Sequence, residues 1–500
     1  MRGAEVGTAR HRSLGGWPSK AVLVWWIAMV GALVWREFVS PQNVLPLLDS
    51  VAVEIQERKE WMGIYSGKDK IGYASTQITR EGEGFLIAER ATMRLNLMGI
   101  PREIKAFTDV KTDKTFGLQS FEMRLVSGPV RFVVKGEIRG SSMHLEMDSA
   151  GKVRKSEIAL SEPPWLAQNL RYLLLQRRLD TGSRFQVPMF DPMTFTNKPM
   201  EIRVDGKETQ TVDGKVIPAY RLVYTWHGLQ SRAWVTEAGE TLREEGWGGF
   251  TLVRESQEEA LAKGWPSGKG VDLMSATAIP VDRTLPSPRE LSHLRVRFSK
   301  GDVGRFAFFD ERQKSLGAEI EVTKEDLSRA TTYVLPHPGT REFQETLSPT
   351  PLVQSDDPDI RQTALRILKG ESDALRAVGL IKDWVHEAIE KVPTVSVPSA
   401  VEVLRTRQGD CNEHAVLFAA LARAAGIPTK LCAGILYQEG KFYYHAWNEV
   451  YLGSWFSLDP LLGQFPADAT HVKLVEGELE RQVQLVGLIG LLKAEIVSYR

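Results

Sequence analysis

The sequence predicts an α+β chain: one N-terminal membrane helix, then mainly β modules, then a C-terminal domain of helices packed on an antiparallel sheet. Three observations carry that prediction. An uncharged run follows a basic leader, alternating runs with glycine-rich turns fill residues 53–262, and sustained helical period starts only after residue 355. These shifts divide the chain into a basic tail (1–20), a signal anchor (21–36), a linker (37–52), a mainly β domain (53–262), a linker with a small β-rich module (263–354) and a final domain (355–500).

Composition narrows the function classes. The chain is 43% hydrophobic and 25% charged, ordinary globular usage, and 500 residues are ample for several cores. Its 63 Lys and Arg balance 63 Asp and Glu, so no global field steers it toward nucleic acid. With two cysteines, Cys411 and Cys432, it has neither a disulfide framework nor a cysteine-rich metal site.

Arg2, Arg10, Arg12 and Lys20 precede the uncharged run Ala21 to Trp35, which Arg36 closes. A helix over that run spans about 22 Å, short of a hydrocarbon core of about 30 Å, and snorkelling by Lys20 and Arg36 makes up the difference. The charge asymmetry places the N-terminus in the cytoplasm and the bulk of the chain on the periplasmic side. A cleaved signal peptide is the alternative, with Ser50-Val51-Ala52 as a distant cleavage pattern.

Ser66-Gly67-Lys68-Asp69 marks a hairpin between strands in Trp61 to Thr79, and further runs at Arg131 to Ile138, Ala219 to Trp226 and Ser231 to Val235 suggest a large curved antiparallel sheet. Glu162 to Arg178 is its main helical exception. Neither β module shows a titratable cluster that suggests chemistry, so substrate docking and structural spacer both stand as readings.

Asp357-Pro358 is an N-cap followed by Pro at the first helical position. A second helix starts near Ser372 or Asp373, and a short one covers about Ser399 to Arg405. Asp410 then caps a fourth helix through the strong helix former Ala415 to Ala425, with Glu413 in capping-box spacing and Gly426 and Pro428 as its stop. Cys411 thereby falls on the first residue of a buried helix, where unsatisfied N–H groups favour a thiolate over the ordinary pKa of about 8.5. The plainer reading is a small buried residue.

Leu431 to Gln438 and Lys441 to Tyr451 form a hairpin about Glu439-Gly440, and Leu452-Gly453-Ser454 turns the chain into Trp455 to Asp459. Period two puts Tyr443, His445, Trp447 and Glu449 on one face. Pairing 451 with 455 sets 447 opposite 459, so His445 and Asp459 lie one diagonal step apart on the same face. A carboxylate there can orient the imidazole toward the thiol, the general arrangement of nucleophile, base and orienter. Each also has a bland reading, a satisfied core histidine and a strand-end residue before Pro460. His414 extends the set to a four-ligand zinc reading with Cys411, His445 and Asp459. A Cys411–Cys432 bridge is conceivable outside the cytoplasm. Trp447 either packs in the core or shields the ion pair.

GDCNEHAVLFAALARAAGIP, YYHAWNEVYL, WFSLDP and DATHV, in that order, resemble the transglutaminase-like superfamily, a papain-related thiol fold. The resemblance implies Cys411 as nucleophile, His445 as general base and acid, and Asp459 as orienter, with acyl chemistry and no cofactor or metal. Peptidase, amidase and cross-linking acyltransferase remain open, as does a non-catalytic envelope scaffold. The expected partners are an envelope protein or peptide substrate and the membrane.

Overall fold

The structure, a computed structural model, describes residues 57–500 apart from 98, 129, 176–178, 263–271, 273–276, 301–302, 307, 340, 395–396 and 489. The expected anchor at 21–36 lies outside the described residues. Among these, no helix is long and apolar enough to cross a membrane.

Fourteen antiparallel strands, β1 (Arg58–Ser66) through β14 (Phe250–Glu255), form one sheet. The chain meanders outward from β1 to one edge at β8 (Lys152–Ala159), then resumes at the other edge with β9 (Arg184–Asp191) and returns until β14 pairs β1. Gly67, at φ 61°, makes the first hairpin turn at the position where a side chain is penalised. Residues far apart in strand order meet over the concave face. Phe121 of β5 (Leu118–Ser127) lies 5.7 Å from Phe190 of β9, centroid to centroid, so the sheet curls around a shared core. The helix Ala167–Leu175 enters that core, with the Tyr172 ring stacked on Phe116 and the Asn169 amide donating to the Phe116 carbonyl.

The curled sheet does not end at its own core. Leu352 and Val397 pack into it, and edge strand β8 is bound to the next helix through Lys152 with Asp357 and Asp359 and a bidentate Arg154–Asp356 pair at 2.8 Å.

The small β module is completed from the far end of the chain. Strands β16 (His293–Ser299), β17 (Gln313–Leu316) and β18 (Glu319–Thr323) take β25 (Lys493–Tyr499) as fourth member, in the order β17-β18-β16-β25.

In the C-terminal domain Asp357 and Asp373 cap the helices Pro358–Leu368 and Ala374–Ala388 through their side chains. Helix Ala400–Thr406 follows, then the central helix Cys411–Ala424, buried on nearly every side. Asp410 and Glu413 make both bonds of a capping box at its start. It packs on β21 (Thr429–Gln438) and β22 (Lys441–Tyr451), whose sheet runs β15-β22-β21-β24, with β15 at Ile279–Pro280 and β24 at His471–Glu476. Glu439 and Gly440, both at positive φ, close the β21–β22 hairpin as a type I′ turn requires. Strand β23 (Trp455–Leu458) joins β22 with Tyr451 opposite Trp455 and Asn448 opposite Leu458.

Candidate active site

The register of β22 and β23 carries Asp459 past the end of its strand to the position facing Trp447, the diagonal neighbour of His445. There the His445 Nε2 and Asp459 Oδ2 are 2.7 Å apart, both groups buried. This bond leaves Nδ1 as the ring nitrogen that Asp459 does not engage. Asp459 cannot swing away: its Oδ1 accepts the backbone N–H of Leu461 at 2.8 Å and of Leu462 at 3.0 Å. The loop after it is held in turn by helix Ala374–Ala388, whose Lys382 donates to the Gly463 carbonyl and whose His386 contacts the Pro460 and Leu461 carbonyls. Burial alone would raise the Asp459 carboxyl. Attraction to His445 and hydrogen bonds from His445 and His471 outweigh it and hold the group far below the ordinary carboxylate range.

Cys411 is free and half-buried at the first position of the central helix. The backbone N–H of Ala446, the residue after His445, favours the thiolate form of Cys411. The electrostatics depart from the expectation of a lowered thiol. Burial, then the adjacent Asp410 carboxylate, push Cys411 well above its ordinary value, and the Ala446 N–H only partly opposes them. The helix end favours an anion, but burial and the paired capping acids Asp410 and Glu413, which push the Asp410 carboxyl up as well, oppose a further negative charge there. Both effects favour the neutral thiol over the thiolate.

Two residues outside the expected set complete the site. His471 is fully buried, places Nε2 3.1 Å from the same Asp459 Oδ2, and turns Nδ1 toward Asp468, 3.2 Å from its carbonyl and 3.4 Å from Oδ1. Burial disfavours its charge, yet the Asp468 attraction and the bonds to both aspartates raise it above the ordinary histidine value. Asp468 is held low by His471 and Arg289 against its own burial. One carboxylate thus orients two imidazoles. A sequence signal existed: His471 and Lys473 share a face by strand period, and Asp468 stands three residues before His471. Trp447 stacks on His445 at 6.2 Å and meets His471 edge-on at 5.3 Å, so it walls the imidazole pair from water.

The small β module reaches this loop directly. Arg289 donates to Asp468 Oδ2 at 2.9 Å, and the buried Arg312 donates to Ser457 Oγ, to the Ala467 and Asp468 carbonyls, and to Glu325. A module without titratable clusters of its own in the sequence supplies cations to the site from more than 140 residues away.

The four-ligand zinc set does not converge. Among the described residues, the metal-competent group here is His445, Asp459 and His471, without Cys411 or His414. His414 instead directs Nδ1 to the Asp410 carbonyl in its own helix, at 2.7 Å. The Cys411–Cys432 bridge is absent too: both thiols are free, and Cys432 lies buried opposite Trp447 in mid-sheet.

A helix with a cysteine at its start thus packs on an antiparallel sheet that presents a histidine and an aspartate. Residues 361–460 match the model of the transglutaminase-like superfamily, and the C-terminal domain belongs to that superfamily. Similar solved structures include a candidate cysteine protease from Cytophaga hutchinsonii (18% identity, TM-score 0.28, covering 45% of this chain and 82% of that one). Others are a candidate protease from Parabacteroides distasonis (12%, TM-score 0.19, 69% of each chain) and a β-barrel-like protein from Brucella abortus (10%, TM-score 0.32, 41% and 96%). No curated protein matches the chain.

Proposed function

We propose that the chain is a thiol-dependent acyl-transfer enzyme acting on a protein or peptide of the cell envelope, with Cys411, His445 and Asp459 as its catalytic triad. The observation that carries the reading is the buried His445–Asp459 pair on the sheet against which the capped helix of Cys411 packs. Because the thiol rests neutral, His445 takes its proton as the sulfur attacks the carbonyl of an amide or ester, and Asp459 stabilises the imidazolium that forms. The C–S bond forms as the carbonyl π electrons move onto oxygen, where the Cys411 backbone N–H at the helix start is the proposed donor. Collapse of that intermediate expels the amine or alcohol, protonated by His445, and leaves a thioester for water or an amine to resolve. No metal or cofactor takes part in this scheme.

Envelope location rests on the basic residues ahead of the Ala21 to Trp35 run, with the bulk of the chain on the periplasmic side. The scaffold reading draws on one observation, the burial that pushes the thiol up. Intact-mass analysis after incubation with an envelope extract separates the two. An acyl adduct on Cys411 that is absent from Cys411→Ala is expected; an unmodified Cys411, with any turnover surviving the substitution, contradicts the proposal.

A further inference from the structure

The helix Ala167–Leu175 closes the concave face of the fourteen-stranded sheet, and between them lies a cavity of about 370 Å³, within the range of small-ligand sites. Met62, Leu170, Met189, Met200 and Leu252 give it an apolar wall, beside polar lining from Thr76, Gln168, Ser231 and Thr241. Two carboxylates lie among them. In β3 (Gly84–Leu97), Phe85 and Ile87 point into the core, and strand period sends Glu89 the same way. Glu244 of β13 (Thr241–Glu245) stands opposite the core residue Ala233 and lines the same cavity.

Carboxylates on an apolar inner face are costly unless matched by a donor. The cation that lines the cavity, Arg171, is already committed: its guanidinium donates to Glu60 at 2.7 Å and to the Tyr172 hydroxyl at 3.1 Å. Glu89 has the Gln168 side chain as a donor and the attraction of Arg171, whereas burial and then the neighbouring Glu89 charge push Glu244 up to about 7, with Arg171 alone opposing. The cavity is thus short of positive charge at one end and apolar at the other.

We propose that this cavity binds an organic ammonium ion with an apolar body, its cationic head between Glu89 and Glu244 and its chain along Met62, Met189 and Met200. An anionic ligand of the same shape would meet two carboxylates and an arginine already taken. Nothing in this inference depends on the thiol site.

The test uses the full chain and n-hexylammonium, with hexanoate as the matched anion, by isothermal titration calorimetry at pH 8. Saturable one-to-one binding of hexylammonium, absent for hexanoate, is expected. Glu244→Gln should weaken it at least tenfold, and Glu89→Gln provides the same reading should the first variant fold poorly. Cys411→Ala should bind as the native chain does. Failure of the native chain to bind hexylammonium, equal binding of hexanoate, unchanged affinity in both glutamine variants, or loss of binding in Cys411→Ala would each overturn the proposal.

Discussion

His471 and Lys473 stand one pleat apart on β24 and organise two buried polar networks on the same sheet face. Lys473 sits among Glu449, Glu476 and Asp310 at 2.7, 2.7 and 2.8 Å, and their charges raise its pKa against the burial that would lower it. The lysine there is matched by carboxylates, and the cluster ties β22 and β24, on either side of β21, to Asp310 of the small β module, with the Cys432 thiol buried against it. The histidine network next door is equally buried but is loaded asymmetrically. Asp459 accepts from two imidazoles and two backbone amides, so each ring is oriented while His445 keeps a nitrogen outside the aspartate's grip, on the strand against which the helix of Cys411 packs. Burial and charge alone do not distinguish a reactive cluster from a structural one. The distinction lies in whether the network leaves a proton acceptor beside a nucleophile.

Mutants should separate the two networks. Cys411→Ala is expected to bring turnover to background with the fold intact, and His445→Ala to cost about 10²–10⁴-fold. Because they act as one unit, the double variant should be scarcely worse than Cys411→Ala, measured as turnover of an ester substrate. Additive losses would place the histidine outside the reaction. Lys473→Met should do the opposite: a loss of about 3–5 kcal/mol in denaturant unfolding, since it strands buried carboxylates, with activity per folded molecule retained.

His471 sharpens the contrast through pH. Its native pKa lies above the ordinary value of about 6.5, so the stability it contributes is complete below that value and fades as pH rises through the raised native one. The stability gap between the native chain and His471→Gln should therefore be wider at pH 6 than at pH 9 in urea titrations. A gap independent of pH would mean that folding leaves the imidazole's pKa unshifted, and a gap wider at pH 9 would mean that it is neutral in the native chain. The smallest effect expected is that of Cys432→Ala, on the order of 1 kcal/mol in stability and none in turnover.

How much of this was legible in the sequence depended on range. Local chemistry was readable: Asp410 and Glu413 form the capping box their spacing announces, Glu439-Gly440 makes its turn, and the Leu452-Gly453-Ser454 turn sets the 451–455 register that brings Asp459 to His445. The misses are long-range. Nothing near residue 289 or 312 indicates that these arginines end at Asp468 and Ser457, or that residues 493–499 complete the small module, because such contacts depend on how separate sheets pack. The thiol was misread for another reason: the helix N-terminus was weighed without the charge of its own cap and without the burial of the sulfur.

The central claim is that His445 activates Cys411, and alkylation kinetics test it most directly. The native chain, His445→Ala and Cys432→Ala are treated with iodoacetamide at pH 7, and the labelled cysteine is identified by mass. Cys411 should react faster than the buried Cys432, and its rate should fall at least tenfold in His445→Ala while Cys432→Ala leaves it unchanged. Equal Cys411 rates in the native chain and in His445→Ala would contradict the account.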